Sequence, residues 1–328
     1  MRDKQLTIMT KIQWTDETWN PIVGCSRISE GCKNCYAAST AKSPRLQQFS
    51  QYQKVSNWDG TVEWVESQIY KPIGWKKPKR IFVCSMGDLF HENVPFEWID
   101  RVMAVMCYCK HHIFQVLTKR PDIAHLYFND YLPDVGPSWK VVGKNIAVNF
   151  KRQIPLRNVW LGTSVENQKV AGDRILPLME TSAAIRFLSC EPLLENLDLS
   201  QWLPEALGKG ICDACGETGQ LYAVDKSPVA GLAICTQCCP RPDWILVGGE
   251  SGTKARPCHQ DWIRSIIQQC QIAKVSVFVK QLGSHSLVSQ PYIQGVAQSH
   301  YRISLKNRKG GDFDEFPDDL KVRQFPQI

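Results

Sequence analysis

The chain has 328 residues, 43% of them hydrophobic and 22% charged, with a formal net charge of +7. This is a globular composition with length for a large core and one or two domains. No apolar run reaches membrane-spanning length, which excludes an integral helical membrane protein, and the charge permits an anionic partner without demanding one.

Residues 1–12 mix charges with short apolar residues and carry no export-signal pattern. Fourteen cysteines in a chain without such a signal are read as reduced or metal-bound, which places the protein in the cytoplasm. Residues 14–23 form a short extended segment, and GCSRISEGCKNCYA follows at 24–37. There Cys25, Cys32 and Cys35 are spaced C-x6-C-x2-C on a loop carrying Gly24 and Gly31. Three thiolates are one ligand short of a closed zinc site. They suit a four-iron cluster with one iron left open. A zinc knuckle completed from a distance, or plain loop cysteines, are the other readings.

Residues 39–79 are irregular and read as a long insertion or lid, broken by Pro44, Gly60, Pro72, Gly74 and Pro78. Its exit, 71–80, is basic and reads as a solvated loop or a nucleic-acid contact. A rhythm then begins. Short β-branched runs at 81–84, 112–117, 159–161, 185–188, 244–247 and 275–279 each end in polar or charged residues. A helical period with Phe96, Ile99, Val102, Met103 and Met106 opens at Pro95, and another runs over 261–271. With the segment before Cys25 there are about seven strands. The alternation predicts βα units and a parallel sheet. Polar clusters after every strand favour a β/α barrel, complete or partial, over a doubly wound sheet, because barrel sites are built from all the βα loops. The core is assigned to 1–207 and 241–283.

Residues 208–240 interrupt the rhythm. Cys212, Cys215, Cys235 and Cys238 are spaced C-x2-C-x19-C-x2-C, with Cys239 following. Two knuckles at this distance predict a zinc ribbon with a structural Zn2+; a second iron–sulfur cluster is the alternative. Residues 284–328 are read as an extension packing on the barrel, with a basic stretch at 302–309 and an acidic one at 312–319.

Motifs spread over most of the chain carry a resemblance: WTDETWNP at 14–21, the three-cysteine loop with Tyr36, SMGDLFH at 85–91, LTKRP at 117–121, WLGTSVEN at 160–167, SCEPL at 189–193, VGGESG at 247–252 and KQ at 280–281. The chain resembles the radical S-adenosylmethionine enzymes. More closely, it is similar to a phage- and bacterium-borne family of uncharacterised proteins related to them. Its first cysteine gap of six is wider than the C-x3-C-x2-C commonest in the superfamily.

The resemblance implies a radical-SAM-type barrel and a [4Fe-4S] cluster on Cys25, Cys32 and Cys35. It also implies S-adenosylmethionine on the open iron, cleaved to a 5′-deoxyadenosyl radical with an electron from an external donor. Tyr36, Ser85, Asp88, Ser164, Glu166, Glu191, Gly248, Gly249 and Glu250 are the candidate cofactor-binding residues. Lys119, Arg120, Lys280 and His91 are the candidate catalytic residues. The three cations suit carboxylates or phosphates, or else pair with Asp88, Glu166, Glu191 or Glu250; His91 is a proton carrier or a satisfied polar residue. The substrate expected is a nucleic acid or nucleotide. Two other functions compete: a non-catalytic zinc protein that binds nucleic acid, and a barrel enzyme using acid–base chemistry.

Overall fold

A computed structural model describes residues 12–131, 138–141, 146–149, 154–224, 232–235, 238, 240–290 and 299–327. Residues 1–11 and Cys239 therefore lie outside the described residues. Seven parallel strands form the central sheet: β1 (Glu17–Trp19), β2 (Arg80–Val83), β3 (Ile113–Thr118), β4 (Val159–Ser164), β5 (Ile185–Cys190), β6 (Trp244–Gly248) and β7 (Ser276–Gln281). Their order in the sheet is their order in the chain. That order settles the choice between barrel and doubly wound sheet. Each crossover steps one strand onward in the same direction, and right-handed crossovers then put every helix on one face. The twisted sheet curls around its other face. No pairing joins β1 to β7 among the described residues, so the result is a half-barrel.

Six helices are described: α1 (Tyr36–Ala41), α2 (Ser50–Lys54), α3 (Phe96–Tyr108), α4 (Pro121–His125), α5 (Gln168–Glu180) and α6 (Gln260–Ala273). The periodicities predicted for α3 and α6 are present: Ile99, Val102, Met103 and Met106, and Ile263, Ile266, Ile267 and Cys270, are buried. Helix α5 has no counterpart in the sequence reading. Its apolar stripe is diluted by Lys169, Asp173 and Arg174 and it contains Pro177. The local signal is its cap, where Asn167 Oδ1 accepts from Val170 N at 3.0 Å.

Alternation along the strands divides two cores. Ile81, Val83, Ile245 and Val247 face the helices, whereas Phe82, Trp244 and Leu246 face inward. Trp14, Trp160, Phe187 and Phe278 join the inner group. Trp244 is its centre, with ring centroids 5.7 Å from Trp160, 5.7 Å from Phe187 and 5.3 Å from Phe325. This aromatic cluster packs the interior, as small barrels require.

Phe325 arrives on the tail, which runs antiparallel to β7. Val279 N donates to Val322 O at 2.8 Å, Gln324 N to Val277 O at 2.9 Å, and Trp244 Nε1 to Gln324 O at 2.8 Å. The Arg80 guanidinium lies 4.2 Å from the Phe325 ring. The tail thus reaches from β7 to the start of β2, across the sheet's open side.

The basic exit at 71–80 leads into β2 from the strand N-termini. His111 and His112, just before β3, bond the carbonyls of Trp75 and Pro72, and Lys79 pairs with Glu17 at the start of β1 at 2.8 Å. This stretch is therefore at the opposite end of the sheet from the cysteine loop. Between β5 and β6, strands Ala206–Ile211, Thr218–Val224 and Leu232–Cys235 form an antiparallel sheet of their own. It is tied to the core through Arg241, whose guanidinium stacks 4.0 Å from Tyr222 and donates to Ala273 O at 2.7 Å. No helix of the described residues is long and apolar enough to cross a membrane.

One position tests the inner packing. A Cβ on Gly162 in β4 would lie 2.5 Å from the ring of Phe187, its cross-strand partner in β5. Gly162→Ala is expected to cost about 2 kcal/mol in urea unfolding, the range for overpacking a filled core; an unchanged midpoint would mean the ring has room to yield.

Candidate functional site

The loop of the three cysteines crosses the mouth formed by the carboxyl ends of the strands. Its entry is set by a close backbone approach. Gly24 has φ +97° and its N–H donates to Met86 O at 2.9 Å. A Cβ there would lie 2.2 Å from Thr61 O, so only glycine fits. The loop then makes a short 3₁₀ turn at Glu30–Cys32 and enters α1 just after Cys35. Cys32 is buried; Cys25 and Cys35 are half-buried.

Four contacts clamp this loop to the strand ends. Glu166, after β4, is fully buried. It accepts from Ser29 Oγ and from Gly31 N (3.2 Å), and pairs with Lys119 (3.2 Å) and Arg174 (2.9 Å). Burial pushes its pKa up, but Lys119 and Arg174 outweigh this and hold it below the usual glutamate value. Arg120, after β3, is the second clamp. It donates to Cys25 Sγ at 3.6 Å, Ser26 Oγ at 2.6 Å and Asp88 Oδ2 at 3.2 Å, and pairs with Glu92. The third is Glu250, after β6. It accepts from Asn34 Nδ2 at 3.0 Å and pairs with Arg256 at 2.7 Å, and Arg256 also donates to Glu30 O at 2.9 Å. The fourth is Tyr36, whose hydroxyl donates to Ser85 O at 2.7 Å while 54% of the residue stays exposed.

The sequence-predicted residues therefore gather at one mouth, but most hold the loop. Asp88 is buried, accepting from Thr118 Oγ1 at 2.7 Å and Lys119 N at 3.0 Å. Ser85 Oγ donates to Asn20 Oδ1 at 3.1 Å. Ser164 is buried and its carbonyl accepts from Arg174 at 2.9 Å. His91 is fully buried. Asn93 N donates to its Nδ1 at 3.1 Å, so the neutral ring carries its proton on Nε2, 2.9 Å from Ser26 Oγ. Burial, and then Arg120, holds its pKa below the usual histidine value. His91 and Arg120 are thus positioned as supports of the Cys25 turn.

Glu191 and Lys280 differ from these. They pair with one another at 3.2 Å and make no hydrogen bond to the cysteine loop among the described residues. Glu191 Oε1 is buried, and although Lys280 is near it makes no hydrogen bond there. A Cβ on Gly248 would meet this same oxygen at 2.8 Å, and one on Gly249 would meet Leu282 O at 2.5 Å. Both glycines are required by close backbone packing beside that carboxylate. The residues missed from sequence are the loop's own ties, Ser26, Ser29 and Asn34, with Arg174 inside α5 and Arg256 beyond β6. Ser26, Ser29 and Asn34 all lie between cysteines of the loop, and that position was the one signal that could have found them.

The two cysteine sets differ in geometry. Cys212, Cys215, Cys235 and Cys238 are the one group of three or more His, Cys, Asp or Glu, among the described residues, whose ligand atoms all lie within 4.8 Å of one another. Cys215 and Cys235 sulfurs are 3.7 Å apart. A tetrahedron with metal–sulfur bonds of ~2.3 Å has edges of about 3.8 Å. Cys235 N donates to Cys212 Sγ at 3.3 Å, and this bond leads in drawing the Cys212 thiol below its usual pKa. These four thiols can hold a metal such as zinc. Cys25, Cys32 and Cys35 do not converge in this way, so they are not shaped around a single ion. Burial, with Asp88 adding to it, pushes the Cys25 thiol up to about 12 although Arg120 opposes.

A family model described as a protein of unknown function, DUF5131, matches residues 9–317, and the chain belongs to that family. No curated protein and no solved structure matches.

The clamp on Glu166 has a sign-defined pH dependence. A carboxyl lowered by folding stabilises above its unfolded value of ~4.5, and that stabilisation is lost as pH falls through the folded value. Glu166→Gln leaves Lys119 and Arg174 facing a neutral group and is expected to cost about 3 kcal/mol at pH 7, with a shallower acid limb below pH ~4.5. Urea titrations at several pH values measure both; parallel curves for the two proteins would remove Glu166 as a clamp.

Proposed function

We propose that this member of the family is a metalloenzyme of the radical S-adenosylmethionine type, acting on a nucleic acid or nucleotide. The observation that carries the reading is the three-thiol loop, one ligand short of a closed site, clamped over the carboxyl-end mouth of a parallel half-barrel. The three thiols do not all lie within 4.8 Å of one another, which suits a cluster, whose ligands sit on different irons, better than one zinc ion.

Cys25, Cys32 and Cys35 would hold the [4Fe-4S] cluster. Such a cluster with an open iron supplies reductive cleavage of S-adenosylmethionine to a 5′-deoxyadenosyl radical, using one electron from an external reductant. Around it, the chain's own residues have separable tasks. Arg120 donates to Cys25 Sγ and so bears on the potential of whatever the sulfur binds. Glu166 and Glu250 fix the loop from two sides. Glu191 and Lys280, paired with one another at 3.2 Å, would part to offer an anion and a cation to the amino and carboxylate ends of a bound amino acid. The four-thiol ribbon would hold a structural zinc.

Anaerobic reconstitution with iron and sulfide tests the enzyme. The reduced protein is expected to show an electron paramagnetic resonance signal that changes on adding S-adenosylmethionine, and to release 5′-deoxyadenosine. Cys32→Ala should abolish both. Loss of neither, or a wild-type protein without iron, defeats the proposal.

A second reading, a non-catalytic zinc protein that binds nucleic acid, is favoured by the preassembled four-thiol group. Metal analysis separates the two. The ribbon is expected to keep about one zinc per chain, lost in Cys215→Ser and retained in Cys32→Ala. Two zinc and no iron would favour the second reading.

A further inference from the structure

The basic stretch near residue 306 lies at the same mouth as the cysteine loop. Residues 306–311 read Lys-Asn-Arg-Lys-Gly-Gly. Their backbone is held on all sides. Leu282 N, just past β7, donates to Gly310 O at 2.7 Å, and Ser284 Oγ donates to Arg308 O at 2.5 Å. Glu315 accepts from the backbone N–H groups of Lys306 and Asn307, and Asn307 Oδ1 from those of Lys309 and Gly311. Gly310, at φ +61°, packs so closely that a Cβ would lie 2.8 Å from Gly283 O.

With the backbone fixed, the side chains of Lys306, Arg308 and Lys309 are all exposed, and none is ion-paired among the described residues. The nearest acid in sequence, Asp312, accepts from Asp314 N at 3.2 Å, and Glu315 is occupied by the turn's own N–H groups. The connection to the thiol loop is short. Ser284 N donates to Glu250 O at 2.8 Å, and the Glu250 carboxylate accepts from Asn34, which also donates to Lys254 O at 2.9 Å. Lys33 and Lys254, both exposed, stand on that corner. Tyr36, next to Cys35, presents a half-exposed ring on the same loop.

We propose that the turn at 306–309, with Lys254 and Lys33, grips the phosphodiester backbone of a single-stranded nucleic acid and leads it to the cysteine loop, where Tyr36 stacks a base. Rigid presentation of unpaired cations fits a regularly charged backbone, and an exposed aromatic ring two residues from Asn34 fits unstacked bases. A duplex keeps its bases stacked and gains nothing from Tyr36. The inference deepens the reading of the mouth as a site acting on nucleic acid, and it assigns the contact to 306–309 in place of 71–80, which lies at the other end of the sheet.

Fluorescence anisotropy tests it with labelled 20-nucleotide DNA and RNA strands and a 20-base-pair DNA duplex, on the full chain. Lys306→Ala/Arg308→Ala/Lys309→Ala is expected to weaken single-strand binding about tenfold at ~0.1 M salt and to reduce the salt slope by about 2, three contacts at ~0.7 each. Tyr36→Ala should weaken strands about fivefold and leave the duplex unchanged. Lys76→Ala/Lys77→Ala, at the opposite end, should change binding less than twofold. Circular dichroism melts confirm folding of each variant. DNA and RNA strands together distinguish the source of the phosphate chain.

Equal loss in the two lysine sets, an unaltered salt slope, or tighter duplex than strand binding overturns the inference. The series is repeated in a Cys25→Ser/Cys32→Ser/Cys35→Ser background. Retained binding there, with no cofactor chemistry in the wild type, would defeat the enzyme alone. Cofactor chemistry without strand binding would defeat this inference alone.

Discussion

The cysteine loop is held over the half-barrel by buried charge, and the arrangement of the mouth follows from that. Glu166 sits between two cations and two loop donors with no solvent contact. Removing a carboxylate from water costs several kcal/mol, and buried pairing returns that only when every lone pair is met. An apolar contact could hold a loop as firmly, but it would tolerate sliding. Directional bonds to Ser29 and Gly31 fix one register. Arg120 repeats the device at Cys25, and Glu250 with Arg256 repeats it at Asn34 and Glu30. Charges at the ends of β3, β4 and β6 therefore serve first to position the thiols.

This explains how much of the site could be read from sequence. The strands, their parallel sense and the gathering of polar residues at one end followed from the alternation of short β-branched runs with helical periods. The seven-strand half-barrel has that form. The division of labour within the mouth did not follow, because it depends on pairing between elements far apart in the chain. Lys119 and Glu166 are each conspicuous after a strand, but only the fold shows that they neutralise one another. Arg174 and Arg256 carried no signal, since an arginine on a helix or in a loop is ordinarily solvated. The basic stretch at 71–80 was legible as charge, whereas its location needed the register of β1, β2 and β3.

The two cysteine sets hold their thiols in contrasting ways. In the ribbon, a backbone N–H lowers the pKa of the Cys212 thiol, and the four sulfurs already lie within 4.8 Å of one another. At the mouth, burial pushes the pKa of the Cys25 thiol up and the three sulfurs do not all lie within 4.8 Å of one another. A site of the first kind closes around its ion as the insertion folds. The second has no such preformed centre. Spacing in the sequence distinguished a set of three from a set of four, and the environment of each sulfur reports the difference in kind.

The tail along β7 has a consequence for the order in which the molecule is made. Trp244 and Phe278 belong to the inner cluster, yet their contact with Phe325 comes from a residue 81 and 47 positions later. During synthesis the half-barrel can pair all seven strands while its open side, and the unpaired edge of β7, still await the segment at 322–325. An exposed parallel edge beside an aromatic interior is a surface that recruits other chains. The interval between the emergence of β7 and the arrival of Phe325 is thus the period in which the nascent chain is most exposed to misassembly.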